Sequence, residues 1–528
     1  MLLSLKCATW ILIVFYLNAR QGDGLRILGI FPFQMSSHFI TCEQLMRGLA
    51  AKGYQVDVYS HFPLTTPVPN YRDFSLQGTL PPISNNVTYE VATASDLFSL
   101  KNNWFESRQK AICELLGHPH FQKLLHNPPR DPPYDLVITE LSIVHCYIPF
   151  GRHLNVPVIG VVTPSLFAWQ YSGFQTPINL AVDPCTNAAF TTPMTFCQRL
   201  INLLTHECLK FGFALYTHPQ NKYVEKYFGP GLPNVVDLQK DISLVLANYD
   251  ASLFGIRTFS PKVVPVPGLH IVDHNETLPQ IVKKWLDEST EGCVYFALGS
   301  MVKIETFPKH VLDVFYKSFQ NIAPLRVLLK ITNSSELPPG LPSNVLTQSW
   351  FQQMPVLKHK NVKAFVTHGG LLGTQEAIYF GIPMVGFPLF FDHHFDMNHY
   401  VKKNIAIKID VHEITETRLT NALMDVLKNP LYKNSIEKLS RQFKDRPLSP
   451  MNSAIYWIEY VHRYGKDVLK SPTEDIPWCQ ACLLDIYGFI VACILIASST
   501  SFYLLKEIIR RLQAKLHLIG SSLGKKEN

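Results

Sequence analysis

The sequence predicts an α/β protein of two Rossmann-like domains facing across a cleft, with a single transmembrane helix near the C-terminus. Three observations carry that expectation. Short uncharged apolar runs alternate with helix-period stretches in both halves, the pattern of βαβ units and of parallel sheets covered on both faces. A glycine turn, His368-Gly369-Gly370, stands between a buried strand (Val362 to Thr367) and a short helix that stops at Gly381. Ile486 to Leu505 is a run of twenty residues without a charge, long enough to span about 30 Å as a helix.

Length and composition bound the rest. A chain of 528 residues is too long for one ordinary core, so two domains is the default. With 47% apolar and 17% charged residues, disorder is excluded. The net charge is +7, but residues 506–528 hold six Lys/Arg against two Glu, a net +4 that leaves +3 for everything before. The basic bias is mostly a tail, so a nucleic-acid surface is not expected. Eleven cysteines show no zinc spacing, and Cys479-x-x-Cys482 has no second pair. Cys7 lies in the leader and Cys493 in the last apolar run, and the other nine are scattered, so no disulfide framework is assigned.

The expected division is a signal peptide over 1–24, an N-terminal Rossmann-like domain over 25–265 and a C-terminal one over 266–465. A juxtamembrane linker over 466–485, the transmembrane helix over 486–505 and a basic tail over 506–528 follow. The leader has Lys6, an apolar run from Ala8 to Leu17 and small residues at Ala19, Gly22 and Gly24. Leu25 to Phe31 reads as the first strand, with Ser36-Ser37-His38 in a loop. Phe39 to Ala51 reads as a helix, because Phe39, Cys42, Leu45, Met46 and Leu49 keep a 3.6-residue period. Tyr54 to Tyr59 is the next strand and residues 62–85 are Pro-rich loops. Asp135 to Thr139 is a strand ending at Glu140, and Val156 to Val162 is another. His38 and Glu140 thus share one sheet edge, the edge at which doubly wound folds bind ligands. Cys197 to Tyr216 reads as an amphipathic helix on its own domain's core, the sharper option being contact with a membrane surface or an apolar ligand. Asp241 to Asn248 closes the first sheet, and Val263 to Leu269 reads as the linker.

The second domain is expected to hold strands at Cys293 to Leu298, Leu325 to Ile331, Val345 to Thr347, Val362 to Thr367, Ile382 to Phe387 and Ile405 to Ile409. A helical tail over 414–464 would pack on the second domain or cross back to the first. The glycine turn lies at the carboxyl end of a strand and opens a helix, where backbone N–H groups face an anion, so it reads as a phosphate-binding turn. Lys506, Arg510, Arg511 and Lys515 follow the apolar run at once and place that side in the cytoplasm. With a signal peptide in front, the chain is expected to be single-pass type I with its domains lumenal. The terminal Lys525-Lys526-Glu527-Asn528 resembles a di-lysine signal for retrieval to the endoplasmic reticulum. Sequons at Asn86, Asn275 and Asn333 fall on the same lumenal side as glycosylation sites. His393, His394, Asp396 and His399 match no recognisable ligand motif, so no metal site is assigned.

The run W-x-x-Q at 350–353, H-G-G-x-x-x-x-x-E at 368–376 and G-I-P-M-V-G-x-P-x-x-x-D ending at Asp392 resembles the signature of the UDP-glycosyltransferases. The likeness extends to the leader, the Ser37-His38 loop, the Gly299-Ser300 turn and the membrane anchor, and the H-G-G-L-L-G-T-Q-E-A run is most similar to the insect branch. The resemblance implies the GT-B fold and transfer of a sugar from a UDP-sugar to a small lipophilic acceptor, with no cofactor beyond the UDP-sugar as co-substrate. It implies that Trp350 stacks on uracil, Gln353 holds the nucleoside and Glu376 accepts from the ribose hydroxyls. His368, Ser300 and the backbone at Gly370, Gly373 and Thr374 would meet the diphosphate, and Asp392 and His393 the sugar. His38 would be the general base on the acceptor hydroxyl with Glu140 orienting it, and in-line attack would invert the anomeric carbon. The family commonly has Asp where Glu140 stands and Gln where His393 stands. The alternative is a non-catalytic protein that keeps the fold and holds a lipophile in its cleft. The oligomeric state, a homo-oligomer included, is left open.

Overall fold

The computed structural model describes residues 24–93, 104–272, 277–390 and 392–523. The leader up to residue 23, the Asn275 sequon and the Lys525-Lys526 pair lie outside them. The chain forms two compact units, Met1–Lys470 and Ser471–Asn528.

The first unit is built on two parallel sheets. Strands β1 (Arg26–Phe31), β2 (Gln55–Ser60), β3 (Tyr71–Ser75), β4 (Leu136–Glu140), β5 (Val158–Val162), β6 (Ile242–Ala247) and β7 (Val263–Pro265) lie in the order β3-β2-β1-β4-β5-β6-β7. Strands β8 (Cys293–Ala297), β9 (Arg326–Lys330), β10 (Val345–Gln348), β11 (Val362–Thr367), β12 (Met384–Gly386) and β13 (Ala406–Lys408) lie in the order β10-β9-β8-β11-β12-β13. Successive residues feed opposite faces, as the two-residue period of a strand requires. Ile27, Leu136, Ile138, Leu244 and Leu246 enter one core, and Leu28, Ile30, Val137 and Val245 the other. In the second sheet Val294, Phe296, Val327 and Leu329 pack on one side, and Cys293, Tyr295, Leu328 and Phe365 on the other. In both sheets the strand order reverses at the first strand, between β1 and β4 and between β8 and β11, and that is where ligands collect in such folds.

Two strands escaped the sequence pattern, and both are edges. β3 lies inside the stretch expected to be Pro-rich loop, and its polar Arg72 pairs with Asp57 of β2 at 2.9 Å. β7 lies where the linker was expected, with only three residues, one of them proline. Ser36-Ser37-His38, expected in a loop, instead form the first turn of the helix Ser36–Ala51. Of the two options for the tail, the helix Pro450–Tyr464 crosses back, burying Ala454, Ile455, Ile458 and Val461 in one core with Ile27, Val56 and Leu136.

The helix Phe196–Thr217 overturns the expectation that its apolar face lies on the domain core. It buries Asn202, Thr205 and His206 and leaves Phe196, Leu200, Leu204, Phe211 and Leu215 exposed. Asn202 accounts for the inversion: its side chain donates to Leu180 O and Asp183 O and accepts from the Cys185 N–H, tying down the backbone of the loop beside it. Cys113 and Cys146, two of the scattered cysteines, form a disulfide.

The two domains are stitched beside β8. Asn85 N–H donates to Ser300 O at 2.8 Å, Val87 N–H to Met301 O at 3.0 Å and Lys303 N–H to Val87 O at 2.9 Å. At the hinge Arg446 Nη2 meets Asp250 Oδ2 at 2.5 Å. The second unit is dominated by one helix, Leu484–Leu523, whose stretch Leu484–Leu518 is long and apolar enough to cross a membrane. It runs without a break through Lys506, Arg510 and Arg511, so the basic residues lie on the same helix.

Candidate active site

In the first domain, the register that sets Ile30 beside Thr139 brings the loop after β1 to the end of β4. His38, in the first helical turn after β1, lies with Nδ1 2.5 Å from Glu140 Oε1 at the carboxyl end of β4. The imidazole is 16% exposed and the carboxylate 4%. Thr163, just past β5, donates its hydroxyl to Glu140 Oε1 at 2.8 Å and lies 3.0 Å from His38 Nδ1. The Phe33 ring stands edge-on to the imidazole at 5.2 Å. Burial acts to lower the His38 pKa, but the charge and hydrogen bond of Glu140, joined by the charge of Asp392, outweigh it and hold the group above its ordinary value. With Nδ1 engaged, Nε2 is the nitrogen left to take a proton from a third molecule.

Asp392 belongs to the second domain, so its effect on His38 puts the two domains' groups on one cleft. Burial raises the Asp392 pKa, opposed by its own backbone N–H and by His38.

The donor side is built around β8 and β11, where Thr367 pairs with Ala297 and brings the Gly299-Ser300 and His368-Gly369-Gly370 turns together. Gly299 has φ +76°, and a Cβ there would stand 2.6 Å from His368 Cε1. At Gly370 a Cβ would stand 2.7 Å from His368 Nε2, so both glycines make the seat of that ring. Burial, helped by the Lys330 charge, pushes His368 down to about 4, so the ring is neutral at pH 7. Its Nδ1 is buried without a hydrogen-bond partner among the described residues. The His393 ring packs edge-on against it at 4.4 Å and is itself held neutral by burial. His393 thus packs directly against His368.

The helix Leu371–Phe380 starts at this turn with its first N–H groups facing the site. Glu376 Oε2 accepts from Gln353 Nε2 at 2.8 Å, and Glu376 Oε1 lies 3.3 Å from His270 Nε2. Gly373 lets Gln353 approach, since a Cβ there would lie 3.0 Å from Gln353 Nε2. Trp350 is 59% exposed, an open aromatic face beside this cluster. The Thr374 hydroxyl points inward, bonded to Gly370 O, Leu371 O and Tyr400 Oη, and its N–H donates to Gly370 O at 3.1 Å, so the buried residue offers no free polar group to a ligand. Of the sequons, Asn86 and Asn333 are exposed.

Sequence reasoning missed Lys330, Thr163 and His270. Lys330 ends β9 with Nζ donating to Gly299 O at 3.0 Å and to Asn85 Oδ1 at 2.7 Å, and it lies 5.7 Å from the centre of the Trp350 ring. Burial, against the pull of Glu305, brings it down to about 8. The signal that singled out Glu140, a charge at the carboxyl end of an apolar strand, applies equally to Lys330. His270 sits just past the expected linker, where no pattern marks it.

The arrangement sets a histidine–carboxylate pair on one domain, and a glycine turn at a helix start, an acidic side chain and an aromatic face on the other. A family model described as UDP-glucoronosyl and UDP-glucosyl transferase matches residues 99–516. The UDP-glucosyltransferase 2 of Dactylopius coccus is 31% identical over 91% of this chain and 92% of its own. The UDP-glycosyltransferase UGT5 of the same insect is 33% identical over 94% of each, and the UDP-glucuronosyltransferase 2A3 of Mus musculus 29% identical over 93% of this chain and 94% of its own. In fold, the chain is similar to the crystal structure of the glycotransferase of kitacinnamycin, with a TM-score of 0.57 and 17% identity over 83% of this chain and 99% of that one. The two facing parallel-sheet domains are those of a GT-B glycosyltransferase, and the chain belongs to the UDP-glucuronosyl and UDP-glucosyl transferase family of enzymes.

Proposed function

We propose that the protein transfers glucose from UDP-glucose, with inversion, to a hydroxyl or similar nucleophile of a small lipophilic acceptor. The observation that carries the mechanism is the His38–Glu140 contact at 2.5 Å, on the cleft that Asp392 also faces. His38 Nε2 takes the acceptor proton as oxygen attacks the anomeric carbon, and Glu140 stabilises the imidazolium that forms. Such a base contributes about 10²–10⁴ in rate. The C1–O bond to UDP breaks on the opposite side, which inverts the centre. The leaving diphosphate gains its stabilisation from the start of the Leu371–Phe380 helix, from Ser300 and His368, and from the Lys330 ammonium. Each helix-end interaction is worth about 0.3–1 kcal/mol when exposed and about 2 when partly buried. Trp350 stacks on uracil, Glu376 accepts from the ribose hydroxyls with Gln353 beside it, and Asp392 and His393 face the sugar. Glucose is favoured by the Dactylopius coccus relative named UDP-glucosyltransferase 2.

We also infer a single-pass type I protein of the endoplasmic reticulum, anchored by the Leu484–Leu518 stretch, with the cleft lumenal and Asn86, Asn275 and Asn333 glycosylated. The support is the apolar helix, the basic residues that follow it and the terminal lysine pair. Incubating the membrane-bound protein with UDP-sugars and a panel of phenols and sterols is the direct test. Product formation with any acceptor removes the alternative of a non-catalytic lipophile carrier. His38→Ala should nearly abolish transfer while UDP still binds, and undiminished turnover would sink the base assignment.

A further inference from the structure

Gln375 is fully buried on the donor helix, one residue before Glu376. Adjacent residues on a helix lie about 100° apart, so as Glu376 joins the nucleotide cluster, Gln375 reaches into the first domain. Its Nε2 donates to Asn248 Oδ1 at 2.8 Å. Asn248 Nδ2 donates to the Thr163 carbonyl at 2.8 Å, and the Thr163 hydroxyl donates to Glu140 Oε1 at 2.8 Å while touching His38 Nδ1 at 3.0 Å. The chain of bonds is buried throughout, with Asn248 4% and Thr163 0% exposed. Gln375 Oε1 is buried without a hydrogen-bond partner among the described residues. A half-satisfied amide in a core is costlier than a leucine of similar size. What the amide supplies in return is direction: it fixes Asn248, which fixes Thr163, which fixes the carboxylate against the base.

We propose that Gln375 and Asn248 are positioning residues that tie the donor helix to the His38–Glu140–Thr163 cluster, so that the base is aligned only while the two domains are closed on each other. This rests on His38 being the base. Base geometry then depends on where the donor helix sits, and two neighbouring side chains divide the labour, Glu376 for the nucleotide and Gln375 for alignment across the cleft.

The test uses the full-length enzyme in microsomes with UDP-glucose and an acceptor that it turns over. Gln375→Leu should lower kcat by about tenfold or more, since small misplacements at a reacting centre are amplified in rate, with the KM for UDP-glucose and the Kd for UDP within about twofold of wild type. Thr163→Val should lower kcat likewise, and Thr163→Ser, which keeps the hydroxyl, should restore it. The double variant Gln375→Leu/Thr163→Val should be no slower than the slower single one, the non-additivity of residues in one network. Unchanged kcat in Gln375→Leu, or fold-losses that simply multiply in the double variant, overturns the proposal. Should Gln375→Leu lose its UDP-induced thermal shift and so fail to fold, the Thr163→Val and Thr163→Ser pair decides: equal rates in the two overturn it. His38→Ala separates the levels. Full turnover there overturns the base itself, whereas abolished turnover beside an unaffected Gln375→Leu overturns only the link.

Discussion

Glu140→Gln keeps the shape of the candidate site and removes one charge. Glu140 Oε1 lies 2.5 Å from His38 Nδ1 and its side chain is 4% exposed, so little water screens the two charges once His38 is protonated. A hydrogen bond to an ionised group is worth about 1.5–3 kcal/mol, which is about 10- to 150-fold in rate when it is gained in the transition state. kcat should fall by that order. The KM for UDP-sugar should hold, because Trp350, Gln353 and Glu376 are untouched. The pH profile carries the sharper information. Burial lowers the His38 pKa, whereas Glu140, by charge and by hydrogen bond, and Asp392, by charge, raise it above its ordinary value. A general base works only when unprotonated, so wild-type turnover climbs as pH rises through that raised value. Without the Glu140 charge, burial is opposed by Asp392 alone, and the acid limb moves to lower pH. Initial rates from pH 5 to 9 with saturating UDP-glucose measure both effects. A limb that stays in place or moves upward, or turnover equal to wild type, refutes the assignment of Glu140 as the partner of a base.

Three further outcomes follow from the donor side. Lys330→Met should raise the KM for UDP-sugar by about tenfold, the worth of one charge-assisted hydrogen bond. In the wild type, UDP affinity measured by calorimetry should weaken as pH rises past about 8, where the ammonium loses its proton; a flat profile assigns Lys330 to its Asn85 and Gly299 contacts alone. His393→Gln should change the kcat/KM ratio of UDP-glucose to UDP-glucuronate by about tenfold, within the range that a buried polar contact discriminates. An unaltered ratio leaves His393 as packing for His368.

The sequence made the second domain legible almost to the residue. β11 spans Val362–Thr367 and the next helix stops before Gly381, because a uniform apolar run, a glycine turn and a glycine stop are all local signals. The strands that escaped, β3 and β7, are edges with one partner each, so nothing forces them to be long or apolar. The helix Phe196–Thr217 was misjudged for a different reason. Amphipathic periodicity gives the axis of polarity but not its sense, and Asn202 reversed the sense by finding backbone partners in a neighbouring loop. The cysteines of the disulfide stand 33 residues apart with no framework around them, so pairing had no local mark.

Candidate site residues divide along the same line. His38, Glu140 and His368 are legible because each stands at or just beyond the carboxyl end of an apolar strand, His38 in the first helical turn after β1, and a parallel sheet gathers all such ends on one edge. Lys330 and Thr163 stand at strand ends too, and were passed over because no motif pointed at them. The topology accounts for why they nonetheless converge. In each sheet the first strand is flanked on both sides by later ones, so the segments leaving β1 and β4, or β8 and β11, diverge and open a crevice at their carboxyl ends. His38 with Glu140 fills one crevice, and Gly299 with His368 the other. What no single-domain pattern contains is the span between them, and in this protein it is carried by side chains from the second domain: Asp392 by its charge on His38, and Gln375 by its bond to Asn248. Both follow the glycine turn in sequence, so on the proposed reading the segment assigned to the anion also reaches the His38–Glu140 pair across the cleft.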